Sequence, residues 1–203
     1  MPIDVGQSAP GFTLPAANKE GSVSLSDYRG KAPVLLALFR GLYCPFCRHQ
    51  IARLAVTADK LREAGVETLG VVATPAERAR LYFRFRQARI PLAADPDLTT
   101  HRAYGLPGMP LTPELGQMVD GLALTYSREH GIPAKAGNAY ADLQAIDGYQ
   151  PTKEDGADFE RHQAQFIGQF LVDRDGVVRW VNIERAPGEF PSEADLLATV
   201  RTA

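Results

Sequence analysis

Residues 33–50 read PVLLALFRGLYCPFCRHQ, an unbroken apolar run that stops at an arginine and a glycine and then presents two cysteines three apart. A continuous apolar run of strand length, Pro33–Phe39, marks a strand buried on both faces of a sheet. Past Cys44 and Cys47, residues Ile51, Leu54, Ala55, Ala58 and Leu61 recur at helical spacing until Gly65 stops the helix. A buried strand therefore feeds a helix whose first turn holds both cysteines of the chain.

The same alternation continues outward from this stretch. Val66–Ala73 (VETLGVVA) reads as the next strand. Thr74-Pro75-Ala76-Glu77 forms a capping box with proline at the first helical position, opening a helix to about Arg89. Ile90–Ala94 and Leu98–Tyr104 read as a short strand and a short helix, and Phe12–Leu14 and Val23–Leu25 as two short strands upstream. Near the C-terminus, Phe166–Val172 and Val177–Ile183 flank Asp173-Arg174-Asp175-Gly176, a tight turn between β-rich arms. Ser192 then caps a last helix with Asp195 as its box partner.

Strands alternating with helices predict an α/β fold with parallel strands, and the hairpin adds antiparallel ones: a mixed central sheet flanked by helices. The chain reads as a single domain, 1–203, with an N-terminal extension and an insertion at about 106–165 before the hairpin. Thr112 and Pro113 start a helix in that insertion, with Leu115, Val119, Leu122 and Tyr126 on one face, and Gly131 and Pro133 end it. That face must cover the main domain or a second subunit, so a homodimer through the insertion is one expectation. Residues 134–157, rich in Ala, Gly and Asp without a sustained period, read as loop.

Composition narrows the function classes. The chain has 203 residues, 45% hydrophobic and 23% charged, with a net charge of −2, so no overall positive field favours nucleic acid or an anionic membrane. No apolar run approaches the roughly 18–20 residues of a spanning helix. The start, MPIDVGQSAPGFTLP, lacks the basic and apolar regions of a secretory signal, and the expected location is cytoplasmic. Residues 78–89 (RARLYFRFRQAR) interleave five arginines with aromatics, which fits aromatics on the sheet and arginines in water better than a nucleic-acid surface.

Two cysteines cannot build a disulfide scaffold. A zinc site needs further ligands, and His49, His101, His130 and His162 are not paired at ligand spacing, so no metal or other cofactor is expected. A Cys/His metal-binding redox sensor or metallochaperone is the reading that would overturn this. In a reducing compartment an isolated C-x-x-C reads first as redox chemistry. Cys44 falls at the helix start, where free N–H groups and the dipole favour a thiolate. Arg48, one turn on, leans back toward Cys44, and Arg40 ends the preceding strand, so both are expected to stabilise that thiolate. Cys47, covered by the helix, suits the role of resolving thiol: Cys44 attacks and a Cys44–Cys47 disulfide closes. His49 and His101 are expected at the helix surface, and Tyr43 to pack beside the cysteines.

The phrase VGQSAPGFTLPAANKEGSVSLSDYRGKAPVLLALFRGLYCPFC (residues 5–47), together with FLVDRDGVVRWV (170–181), resembles the peroxiredoxin, or AhpC/TSA (alkyl hydroperoxide reductase/thiol-specific antioxidant), family of the thioredoxin superfamily. The resemblance covers roughly residues 5–105 and 165–200 and implies a thioredoxin-like fold. It also implies a thiol peroxidase of antioxidant function, with a peroxide or disulfide substrate and a thioredoxin- or glutathione-type reductant. CPFC is also similar to the CPYC of glutaredoxins, and protein disulfide reduction is the alternative activity. The family sets a proline seven residues before its reactive cysteine, a threonine or serine three before it, and an arginine just ahead of the hairpin strand. Here those positions are Ala37, Gly41 and Ile167.

Overall fold

The computed structural model describes residues 2–202. In chain order it contains β1 (Thr13–Pro15), β2 (Ser22–Ser24), β3 (Val34–Phe39), α1 (Pro45–Glu63), β4 (Glu67–Val72), α2 (Ala76–Phe85), β5 (Leu92–Ala94), α3 (Thr99–Ala103) and β6 (Gly108–Met109). Then follow α4 (Pro113–Glu129), α5 (Ala139–Gln144), α6 (Lys153–His162), β7 (Ala164–Gln165), β8 (Gly168–Val172), β9 (Val178–Ile183) and α7 (Glu193–Thr202). Five strands form the central sheet in the order β5-β4-β3-β8-β9. β3 lies parallel to β4 and antiparallel to β8, so Leu36 pairs with Leu69 on one side and Phe170 on the other. This is the mixed sheet of a thioredoxin-like fold.

β3 is buried on both faces, as its composition requires. Leu35, Ala37 and Phe39 join one core with Ile51, Leu54, Ala58 and Leu61 of α1 and Leu196 of α7. Val34, Leu36 and Leu38 join the other with Tyr104, Phe170 and the N-terminal residues Ile3, Val23 and Leu25. The two-residue period of a strand divides one apolar run between two cores. The central position of β3 fixes where its C-terminal end points, and that end delivers Arg40, Gly41 and Cys44.

The hairpin turns at Asp173-Arg174-Asp175-Gly176. Gly176 has φ +81°, and the Asp173 carboxylate accepts hydrogen bonds from the N–H groups of Asp175 and Val177. Strand β5 begins at Leu92 rather than Ile90.

The larger difference lies in residues 134–157, expected as loop. They contain α5 and the start of α6. α5 has six residues, too short for a helical period to register. α6 opens on a capping box in which Thr152 and Asp155 each bond the other's backbone. The insertion closes at its base, where β6 pairs with β7 through Gly108 opposite Gln165. Its α4 face turns onto the same chain: Leu115 and Tyr126 are buried, and Ala123, Ala139 and Leu143 join the core under α1. Among the described residues no helix is long and apolar enough to cross a membrane.

Candidate active site

Cys44 is the N-cap of α1, with Pro45 following at the first helical position. Its Sγ accepts a hydrogen bond from the Cys47 N–H at 3.4 Å, so the sulfur occupies the position a capping oxygen usually takes. Both thiols are free and both are buried, Cys44 at 4% exposure and Cys47 at 0%. Burial pushes the Cys44 thiol up. Hydrogen bonds from Cys47 and the charge of Arg40 outweigh it and bring the thiol down to about 6. Burial and the neighbouring Cys44 sulfur hold Cys47 well above the usual thiol range. Near neutral pH the two sulfurs therefore differ: one is a thiolate and the other a thiol.

Arg40 and Arg48, both expected beside Cys44, separate in the structure. Arg40 Nη1 lies 3.8 Å from Cys44 Sγ, while its Nη2 pairs with Glu184. Arg48 turns the other way. It donates to the carbonyl of Leu42 at 2.8 Å, to the Gln144 carbonyl at 2.8 Å and to the Asp147 carboxylate at 2.9 Å, and it stacks on the Tyr149 ring. Asp147 also accepts from the Tyr82 hydroxyl at 2.7 Å, and its backbone carbonyl from Arg86. Arg48 thus fastens the insertion to α1 and α2 and makes no hydrogen bond to the sulfur.

Glu184 was not legible as a site residue. It follows β9, its side chain is fully buried, and Oε1 accepts from the Ile167 N–H at 3.0 Å as well as from Arg40. Oε2 is buried with no partner. Burial pushes this carboxyl up to about 7 in spite of Arg40. Ile167, where the family pattern sets an arginine, is buried and apolar, and the guanidinium beside the sulfur arrives from β3 instead.

The family's threonine position has a steric explanation. A Cβ at Gly41 would lie 2.8 Å from the Ala73 carbonyl oxygen and 2.6 Å from the Tyr43 ring, closer than real side chains approach. The backbone here crosses β4's end too closely for any side chain. Gly41→Thr is therefore expected to destabilise the fold by about 1–3 kcal/mol, read as a lower urea midpoint with unchanged slope. A Gly41→Thr protein as stable as wild type would contradict this close approach.

His101 corrects the surface expectation. It is fully buried, with Nε2 at 3.1 Å from the Phe39 carbonyl oxygen, because α3 tucks its first turn under the end of β3. His49 is half-buried with Nδ1 at 2.6 Å from the Tyr126 hydroxyl, joining α1 to α4. Tyr43 packs edge-on against Phe159. Of the five arginines in residues 78–89, Arg78 pairs with Asp155 and Asp158, Arg80 with Glu20, and Arg86 with Asp147. Among the described residues no three of His, Cys, Asp or Glu gather where they could hold a metal ion.

Above Cys44 opens a cavity of about 430 Å³, with Arg40 and Cys44 at its wall and Phe46, Leu115, Val119 and Tyr140 among its lining residues. Helices α4 and α5 of the insertion roof it. Most of this lining is apolar, with Thr112, Asp120, Asn138 and Gln163 as polar residues beside Arg40.

A dithiol at the start of α1, at the end of the central strand of a thioredoxin-like sheet, places the protein among the thioredoxin-fold thiol proteins. More narrowly, the chain belongs to the AhpC/TSA family, whose model matches residues 5–136. It is 29% identical over 107 residues to Peroxiredoxin Bcp of Escherichia coli strain K12, a stretch that covers 53% of this chain and 67% of that protein. Among solved structures, peroxidoxin BcpB from Mycobacterium tuberculosis is similar in fold at a TM-score of 0.63 and 17% identity, covering 98% of this chain and 97% of that one. The reduced 2-Cys peroxiredoxin of Plasmodium vivax is similar at 0.64 and 16%, covering 98% and 81%.

Proposed function

We propose that this protein is a thiol-dependent peroxidase in which Cys44 attacks and Cys47 resolves. The observation that supports the reading best is a buried Cys44 sulfur held as thiolate beside Arg40, at the wall of a cavity open to a small molecule. The Cys44 thiolate attacks one oxygen of a hydroperoxide, the O–O bond breaks, and the departing alkoxide or hydroxide takes up a proton and leaves as alcohol or water. Cys44 is then a sulfenic acid. The Cys47 sulfur attacks it; its thiol proton and the hydroxyl of the sulfenic acid leave together as water, and a Cys44–Cys47 disulfide remains. An external dithiol of thioredoxin or glutathione type returns two electrons and two protons.

Arg40 has two tasks in this scheme: it holds the thiolate before attack and faces the negative charge that develops on the peroxide oxygens. In this family the threonine normally shares that second task, and Gly41 has no side chain to offer. We read residues 106–165 as an insertion in a single domain that roofs the site. Free thiols and this dithiol chemistry suit a reducing compartment such as the cytoplasm.

Titration with hydrogen peroxide followed by intact mass tests the reading. One equivalent should convert the two free thiols to a disulfide, a loss of two hydrogens, and a dithiol reductant should restore them. A protein that keeps both thiols after excess peroxide, yet reduces a protein disulfide, is a disulfide reductase instead.

A further inference from the structure

Arg40 is shared. One edge of its guanidinium faces the Cys44 sulfur at 3.8 Å and the other is paired to Glu184, a residue just past edge strand β9 at the same end of the sheet. An arginine side chain has enough rotamers to leave so small a target, and the structure removes them by burial and by one carboxylate. That carboxylate is itself fixed, because Oε1 also accepts the Ile167 N–H at 3.0 Å. A rigid chain therefore runs from the backbone ahead of β8 through Glu184 and Arg40 to the sulfur. The same contact has an electrostatic consequence. A carboxylate paired to the guanidinium cancels part of the positive field the sulfur would otherwise receive.

We propose that Glu184 is a positioning residue for Cys44, acting through Arg40: it aims the buried guanidinium at the sulfur and, when ionised, limits the field the sulfur receives. This rests on Cys44 being the reacting thiol. The contact Glu184 makes with Arg40 spans 144 residues. Oε1 serves the arginine, and burial pushes the carboxyl up to about 7 in spite of it. The other charged or titratable groups around the sulfur do not compete for this role. Tyr43 and Tyr140 are held well above their usual range by burial, His101 is brought down to about 4 by burial, and Arg48 is committed to Asp147.

The two halves of the proposal separate by substitution. Glu184→Gln keeps an oxygen for Ile167 and Arg40 and places its amide nitrogen where Oε2 now has no hydrogen bond to lose, so aim survives and charge goes. Glu184→Ala releases the guanidinium, so aim goes too. In a Cys47→Ser background only Cys44 can titrate as a thiol, and thiolate absorbance near 240 nm reports it, with Cys44→Ser/Cys47→Ser as baseline. The Gln variant is expected to titrate at or below the parent midpoint, and the Ala variant about one pH unit or more above it. A purely structural glutamate would move both midpoints upward together, and that result, or two unmoved midpoints, overturns the proposal. If the Ala variant does not fold, the Gln variant alone decides: a midpoint above the parent's overturns the proposal. No peroxide enters this measurement, so it succeeds or fails apart from the peroxidase reading, which the peroxide titration tests.

Discussion

Cys44→Ser is expected to remove peroxide turnover, by about 10³-fold or more, the scale of loss when an enzyme's nucleophile is deleted. Cys47→Ser is expected to behave differently. Its first reaction with peroxide should proceed at nearly the wild-type rate and then stop, leaving a protein heavier by one oxygen. The asymmetry follows from the environments of the two sulfurs. Cys44 receives the Cys47 N–H at 3.4 Å and Arg40 at 3.8 Å, and its thiol is brought down to about 6. Cys47 is fully buried one turn into α1, and burial and Cys44 hold its proton on. Without Cys47 the sulfenic acid has no thiol to close on, so a second equivalent of peroxide should take it to sulfinic acid. Rapid-mixing kinetics and intact mass of the two variants check this. The first-phase rate should also rise with pH through about 6 and level off above it, because only the deprotonated Cys44 attacks. A Cys47→Ser protein that does not react while Cys44→Ser does would reverse the assignment.

Most of the fold is legible because short-range signals agree with one another. The run Val34–Phe39 could only be a doubly buried strand, and its C-terminal end fixes the place of Cys44. Thr112, Pro113 and Gly131 bracket α4 within a residue or two. α5 escapes because six residues do not complete two turns, and α6 was announced by Thr152 and Asp155, a signal obscured by the Gly- and Asp-rich residues before it. At the site, local logic reaches the cysteines and Arg40 and goes no further. Helical spacing correctly puts Arg48 one turn from Cys44, but its partner, Asp147, lies 99 residues away, and that partner decides where the guanidinium points. His101 finds its carbonyl 62 residues away, and Glu184 its arginine 144 away. Contacts of that kind are made by the topology of the sheet, and no periodicity within a segment encodes them.

Arg40→Met is the substitution that should disturb both stability and reactivity, and the two effects have different pH dependences. Burial works against the guanidinium's charge, but Glu184 and the cysteines outweigh it and keep it protonated. Removing it leaves the Cys47 hydrogen bonds but withdraws the charge that lowers the Cys44 thiol beside them, so the thiol should rise from about 6 toward the free-cysteine value of about 8.5. At pH 7 the thiolate fraction would fall by up to roughly 30-fold. Alkylation should slow by less than that, since a more basic thiolate is intrinsically a better nucleophile, so absorbance is the cleaner measure. Stability falls for a separate reason: Glu184 is left buried without its partner, a loss of about 3–5 kcal/mol when the carboxylate must stay charged. It need not stay charged at low pH. Its folded-state value, already about 7 beside Arg40, should rise further without it, whereas the unfolded chain titrates at the ordinary glutamate value of about 4.3. A carboxyl raised in the folded state loses stability as pH rises from the unfolded value through the folded one. The deficit of Arg40→Met should therefore be small near pH 4–5 and grow toward pH 8. Adding Glu184→Gln should recover the part of the deficit that the unpaired carboxylate causes; the Cys44 thiol stays high, so the stability that wild type gains as pH rises from about 6 through about 8.5 is still missing. Urea unfolding of wild type, Arg40→Met and the double variant at three pH values measures the first, and thiolate absorbance the second. Recovery of both together in the double variant would mean that the guanidinium does not act on the sulfur by its charge.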